Sequence, residues 1–310
     1  MSQDERQRLV KITLIQQGPV GGEKQEIVEG LLKQVDQVAE KERPDFMMPI
    51  ELCTTPYFCG VQKYEYFDWA EPIPGPSTEL FAEKAKKFEM VFLLPIFEKA
   101  RIEGVYYNAT VLLGPDGKII EGTLPDGGRV SCYRKNQIPR VAEIDGLRID
   151  ERFYFREGPG FCTFDTPKAK IGVVICFDRR FPESWRMCAL QGAEIVFNPA
   201  CAMLLNPKKG ASTKAMYTAE LQTRALENSL WVANTNKAGV ETLGGVKLDF
   251  YGSSAIYHPT GAVVVKASDS QPEVISATID LNEVAVTRQF LSYFKFRRPD
   301  AYTLIDEPMV

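Results

Sequence analysis

Histidine is almost absent from this sequence: His258 is the only one, and the seven cysteines show no paired CxxC spacing. A protein zinc site normally draws on several His or closely spaced Cys ligands, so metal catalysis has almost no ligands to work with. Serine triads and cysteine–histidine pairs are disfavoured for the same reason, unless His258 alone serves. The chemistry therefore falls to Cys, Glu, Asp, Lys, Arg or Tyr, with no cofactor expected. Excess positive charge is also missing, since 37 basic against 41 acidic residues leave a net charge of −4. Scattered basic residues do not make the clustered surface that displaces counterions from phosphates, so nucleic acid is not an expected partner. No apolar run approaches the ~20 residues that span a bilayer. Met1 to Val10 is polar and charged rather than a basic patch followed by an apolar run, so neither a membrane nor a secretion signal is expected. The odd set Cys53, Cys59, Cys132, Cys162, Cys176, Cys188 and Cys201 suits reduced thiols in the cytoplasm better than a disulfide framework.

What is present is ordinary globular material: 310 residues, 45% hydrophobic and 25% charged, enough to fill one large core. A single domain over residues 1–310 is expected. Short β-rich runs alternate with amphipathic stretches. Lys11 to Gln16 reads as a strand, and Ile27, Leu31, Val35 and Val38 give helical spacing within Lys24 to Arg43. Asp45 to Ile50 is a buried strand stopping at Glu51, and Glu79 to Glu89 is a helix. Strands follow near Val91 to Phe97 and Tyr106 to Leu113, and the Pro115-Asp116-Gly117 turn is expected to send the chain back so that this pair forms an antiparallel hairpin. Ala169 to Ile175 is an apolar run ending at Cys176, after which Pro182 opens a helix that Gly192 closes. Further strands are expected at Glu194 to Phe197 and Leu230 to Thr235, a helix at Ala215 to Asn228, and a hairpin around Pro259-Thr260-Gly261. This alternation implies a layered α/β architecture with a mixed sheet.

Three polar groups sit at or beside the ends of apolar strands: Glu51 after Met47-Met48-Pro49-Ile50, Lys135 in Cys132-Tyr133-Arg134-Lys135, and Cys176 after Val173-Val174-Ile175. Strand ends form the crevice where ligands bind in open α/β sheets. Singly, each has an ordinary explanation as a salt-bridged acid, a solvated lysine or a buried thiol. Around Cys176, however, a buried strand delivers the thiol into a tight turn, Phe177-Asp178-Arg179-Arg180-Phe181-Pro182-Glu183, just before a helix. Backbone N–H groups near a helix start and neighbouring cations favour the thiolate, so a reactive sulfur is expected there.

Three stretches, Pro49-Ile50-Glu51-Leu52, Tyr133 to Pro139 and Ile175 to Glu183, resemble in order and spacing the motifs of the nitrilase superfamily of carbon–nitrogen hydrolases. Supporting similarity runs through Gly192 to Ile195, Ala225 to Asn228, Tyr251 to Ser254 and Arg297 to Pro299. The resemblance implies an αββα sandwich that pairs with a second subunit into four layers, as a homodimer or higher oligomer, with residues 285–310 as an oligomerisation arm. It implies Cys176 as nucleophile, Glu51 as general base, Lys135 with the backbone N–H of Phe177 as oxyanion donors, and Glu151 as a second carboxylate beside Lys135. Asp178-Arg179-Arg180 looks most like the N-carbamoyl amino acid amidohydrolases. On that reading Arg179 or Arg180 holds a substrate carboxylate; alternatively one or both pair with Asp178, Glu183 or a backbone carbonyl.

The pattern departs from these relatives at three places. Gln137 stands where His is common, residues 122–131 form an extra hairpin or entrance loop, and Cys201 replaces an Asn of the D-amino acid carbamoylases' pocket. The expected substrate is a small ureido or amide compound. The competing readings are an amidase acting on an uncarboxylated substrate, such as an N-carbamoyl amine, and a nitrilase-fold scaffold without activity.

Overall fold

The computed structural model describes residues 7–144, 147–205, 213–305 and 307. The first six of the polar amino-terminal residues, and residues 306 and 308–310 of the expected arm, lie outside the described residues.

Two mixed sheets make the centre of the molecule. The first orders its strands Glu273–Asp280, Leu9–Gln16, Phe46–Met48, Val91–Lys99, Tyr106–Leu113 and Tyr133–Arg134. The second runs Val263–Lys266, Ala255–Tyr257, Trp231–Asn236, Ile195–Ala200, Lys170–Val173, Thr163–Asp165, Gly122–Thr123 and Arg129–Val130. Three central strands of each are parallel and the flanks antiparallel.

Side-chain alternation decides what each strand faces. Val10, Ile12, Leu14, Phe46, Met48, Val91 and Leu93 join Val173 and Phe197 in the core between the sheets. There the Phe46 and Phe197 ring centroids lie 5.6 Å apart. The neighbours Met47, Phe92 and Leu94 turn the other way, against helices α1 (Lys24–Glu42) and α2 (Pro76–Lys87), where Phe81 stacks on Phe92. Helices α3 (Pro182–Leu190) and α4 (Thr213–Asn228) cover the outer face of the second sheet through Trp185, Cys188, Tyr217 and Leu221. The expected layering is therefore present as helix, sheet, sheet, helix. Helix α5 (Asn282–Leu291) follows the last strand of the first sheet.

Local chemistry explains where element boundaries differ from expectation. The strand before Glu51 stops at Met48, because Pro49 has no N–H for the ladder and its carbonyl instead accepts from Thr235 Oγ1 at 2.9 Å. Helix α2 starts earlier, at Pro76, where the Thr78 hydroxyl accepts the Gly75 N–H at 2.6 Å. The antiparallel pair Val91–Lys99 and Tyr106–Leu113 is joined through residues 100–105, whereas the Pro115–Gly117 turn leads only to a bridge between Leu113 and Ile119. Residues 122–130 form a small hairpin that extends the second sheet at its edge. Around Cys176 the expectation holds: the residue enters a tight turn, the five-residue 3-10 segment Cys176–Arg180, and α3 opens at Pro182.

Candidate active site

The Lys170–Val173 strand runs through Val174 and Ile175 to Cys176, which adopts φ 44°, a left-handed conformation that side chains with a Cβ rarely take. Asp178 holds the chain in this turn. Its Oδ2 accepts the Ile175 N–H at 3.0 Å and the Tyr133 hydroxyl at 2.7 Å, while Oδ1 accepts the Gln137 N–H at 2.8 Å. One buried carboxylate thus ties the Cys176 turn to both sides of Lys135. Burial pushes Asp178 up to about 6, against the hydrogen bond from Tyr133, which lowers it.

Lys135 follows the short Tyr133–Arg134 strand and is wholly buried. Its Nζ lies 2.9 Å from Glu51 Oε1 and 2.6 Å from Glu151 Oε2. Burial works against the ammonium, yet Glu151 and Glu51 outweigh it and hold Lys135 well above its ordinary range. Burial raises Glu151, with Glu51's charge adding to the effect, while Lys135 and the Tyr57 hydroxyl, 3.0 Å from Oε1, pull it back.

Glu51 takes further donors from two more elements. Asn108 Nδ2 gives a bond of 2.7 Å to Oε1, and the Cys201 N–H gives one of 2.9 Å to Oε2. An uncompensated buried carboxylate is costly, and these bonds supply the compensation.

A cavity of about 280 Å³ opens over this cluster, lined by Glu151, Cys176, Phe177, Arg179, Arg180, Cys201 and Tyr251 among others. Glu151 and Cys176 line it, whereas Glu51 and Lys135 are at 0% exposure and do not. Cys176 reaches the cavity with 8% of its surface exposed. Burial pushes its thiol up to about 12; Glu51's charge adds to that rise, and Lys135 and Arg179 only partly offset it. The expectation that backbone N–H groups near the helix start and neighbouring cations favour thiolate is therefore corrected: burial and Glu51 outweigh Lys135 and Arg179, and the sulfur rests as a thiol.

The two arginines part company. Arg179 is buried, donates to the Cys176 carbonyl at 3.0 Å and lies over the Tyr217 ring at 4.5 Å. Its Nε is 3.0 Å from Glu220 Oε2 but off the line of a hydrogen bond, leaving both atoms without a bonded partner. Arg180 is half-buried over the Phe177 ring, and no carboxylate pairs with it among the described residues. Neither arginine takes Asp178 or Glu183. Cys201 faces the cavity, yet its ordered contacts go to Glu51, including Sγ to the Glu51 carbonyl at 3.2 Å.

Four supporting residues escaped the sequence reading: Tyr57, Asn108, and the buried pair Lys237–Glu241, whose Glu241 Oε1 accepts the Tyr57 N–H at 2.7 Å. Tyr57 stands six positions after Glu51 in an irregular stretch, where no periodicity marks it. His258 is elsewhere, bonded to Thr260 and edge-on to Trp231. All seven cysteines are free. Among the described residues no cluster of His, Cys, Asp or Glu is arranged to hold a metal, and no helix is long and apolar enough to cross a membrane.

Comparison with known proteins adds three findings. The sequence profile of the carbon-nitrogen hydrolase family matches residues 11–289. The chain is 33% identical to an N-carbamoylputrescine amidase of Oryza sativa subsp. japonica, over 86% of this chain and 85% of that protein. It is 32% identical to a citrullinase of Francisella tularensis, over 85% and 87%. Among solved structures, a carbon-nitrogen hydrolase from Helicobacter pylori G27 superposes with a TM-score of 0.85 at 28% identity, covering 97% of this chain and 99% of that one.

Proposed function

The chain belongs to the carbon-nitrogen hydrolase family, the nitrilase superfamily, and from that premise we propose that it hydrolyses an N-carbamoyl amino acid through an acyl intermediate on Cys176. The chain is an amidohydrolase acting on carbon–nitrogen bonds other than peptide bonds. The observation that carries the finer reading is the Lys135 ammonium clamped between Glu51 and Glu151, the latter lining the cavity that exposes Cys176.

An ammonium has three donors. Two of Lys135's face carboxylates, which leaves the third for the oxygen of a carbonyl seated over Cys176. Glu51 takes the thiol proton as sulfur attacks the ureido carbon, and the carbonyl electron pair moves onto oxygen. That oxyanion is held by Lys135 and the backbone N–H of Phe177, each worth about 2.7–4 kcal/mol in comparable sites. The carbon–nitrogen bond then breaks, and Glu51 returns its proton to the departing nitrogen. Glu51 next takes a proton from water, the hydroxyl attacks the same carbon, and the carbon–sulfur bond breaks as the thiol is re-formed. Hydrolysis of the S-carbamoyl intermediate releases a carbamic acid, whose remaining carbon–nitrogen bond breaks as it loses carbon dioxide, so the overall products are the amino acid, ammonia and carbon dioxide. A sulfur that rests protonated fits this scheme, because the proton leaves only when the base and the electrophile are both in place.

The arginines support a carboxylated substrate. A cationic amine end, as the name N-carbamoylputrescine amidase implies for that relative, needs an acceptor. Among the described residues the one acid that lines this cavity, Glu151, is already committed to Lys135 and Tyr57. Glu51→Gln tests the scheme: turnover of ureido acids should fall about 10²–10⁴-fold with the fold retained by circular dichroism. Near-normal turnover in that variant refutes Glu51 as the base.

A further inference from the structure

Most buried polar side-chain atoms in this protein have a partner. Among those that do not, Tyr251 Oη, Arg180 Nε and Arg179 Nε belong to residues lining the cavity over Cys176. Arg179 spends Nη1 on the Cys176 carbonyl, and its unbonded Nε has the opposite charge of Glu220 Oε2 at 3.0 Å. Tyr251 is not: it is 5% exposed, and its hydroxyl meets neither protein nor open solvent. Leaving such a donor unmet is costly, and the cost is recovered when a ligand supplies the acceptor.

The phenol is also held rigidly. Its ring stands edge-on to Tyr217, with centroids 5.2 Å apart and planes at 73°. The chain turns immediately afterwards at Gly252, with φ 51°, where an added Cβ would lie 2.5 Å from the Ser268 carbonyl oxygen. Gly252 N–H is tied in turn to the Lys237 carbonyl at 2.9 Å. Across the same cavity, Arg180 has its backbone pinned by Arg224, whose Nη2 donates to the Arg180 carbonyl at 3.1 Å. Two unmet, positioned donors, one of them on a guanidinium, call for an anion with acceptor oxygens.

We infer that the Tyr251 hydroxyl is a further donor to the substrate's carboxylate, beside the arginine that the ureido-acid reading already invokes, and that Tyr251 sets the preference for a ureido acid over a ureide lacking the acid group. This rests on the ureido-acid reading above and adds the residue that discriminates. A cavity of about 280 Å³ is at the small end for ligand sites, which fits a short aliphatic chain between the ureido carbon and the carboxylate.

The test uses the full chain, a short aliphatic ureido acid and the alkylurea lacking its carboxylate. Values of kcat and KM are measured for wild type, Tyr251→Phe and Arg180→Gln. Wild type should prefer the acid. Tyr251→Phe should lower the acid-to-alkylurea ratio of kcat/KM roughly tenfold or more, chiefly through KM, without lowering the Tm of the free protein, since the hydroxyl has no bond there to lose. Arg180→Gln should lower the same ratio. If wild type prefers the acid and Tyr251→Phe keeps the wild-type ratio, or weakens both substrates equally, this inference is overturned while the ureido-acid reading stands. If wild type shows no preference for the acid, the ureido-acid reading itself fails.

Discussion

Cys176 is pulled in two directions: its turn places Lys135 and Arg179 nearby, which favour thiolate, while burial and Glu51 favour thiol and prevail. An unusual consequence follows for Glu51→Gln. Removing that negative charge lowers the Cys176 pKa, so alkylation by iodoacetamide near pH 8 should speed up in the same variant whose turnover collapses. Peptide mass spectrometry can follow this, with Cys176 modified ahead of the other six thiols in wild type. Slower alkylation of Cys176 in Glu51→Gln contradicts the assigned electrostatics. At this scale Glu51 and Cys176 were marked by the apolar runs they follow, whereas Lys135, preceded by Arg134, was marked by the resemblance of Tyr133 to Pro139 to the family's motif. The sequence was silent on Tyr57 and Asn108, because a partner 94 or 57 positions away leaves no local pattern. Nor did residue type alone separate Arg179 from Arg180; Glu220 and Tyr217, both on α4, make that difference.

The elements that carry the site are joined less by the sheets than by Asp178. Tyr133→Phe removes one hydrogen bond to this carboxylate and should cost about 1.5–3 kcal/mol in urea unfolding, with a loss of kcat as the Lys135 segment loosens against the Cys176 turn. Unchanged stability and turnover would show that the two segments are positioned by something else. Gly172 makes a second joint: an added Cβ would sit 2.8 Å from Cys188 on α3, so Gly172→Ala should destabilise by about 1–3 kcal/mol through overpacking. Equilibrium denaturation measures it, and a neutral result removes close approach of α3 as the reason for glycine there. The strands and helices that were read came from apolar periodicity, whereas Glu273–Asp280, the paired strands Ala238–Leu243 and Val246–Tyr251, and α5 were not read at all. Boundaries shifted where proline removed a donor, at Pro49, or began a helix, at Pro76.

Across the whole molecule, burial raises all seven thiols. The folded chain therefore keeps protons that the unfolded chain releases as pH rises past the ordinary thiol value. Stability from this source is complete below about pH 8 and is lost on going higher, at up to about 1.4 kcal/mol per pH unit for each thiol. Urea midpoints should fall steeply between about pH 8.5 and 10.5, and a flat profile contradicts the burial of the thiols in solution. Assembly was the feature least legible in the sequence, since an apolar residue reads alike in a core and at an interface. Phe290, Phe296 and Leu304 are 83%, 70% and 79% exposed, beside a groove of about 590 Å³ lined by Met187, Leu190, Leu226 and Tyr302. We propose that a second copy covers this face. Light scattering should give a dimer or larger, and Phe290→Glu with Leu190→Glu should shift it toward monomer; a monomeric wild type contradicts the proposal.

The proposed chemistry stands or falls on whether substrate carbon becomes bonded to one sulfur. Rapid quenching of the wild-type protein with a carbonyl-labelled ureido acid, followed by peptide mass spectrometry, should place the label on Cys176 during turnover and on none of the other six cysteines. Full turnover with no label on Cys176, or undiminished turnover by Cys176→Ala, would contradict it.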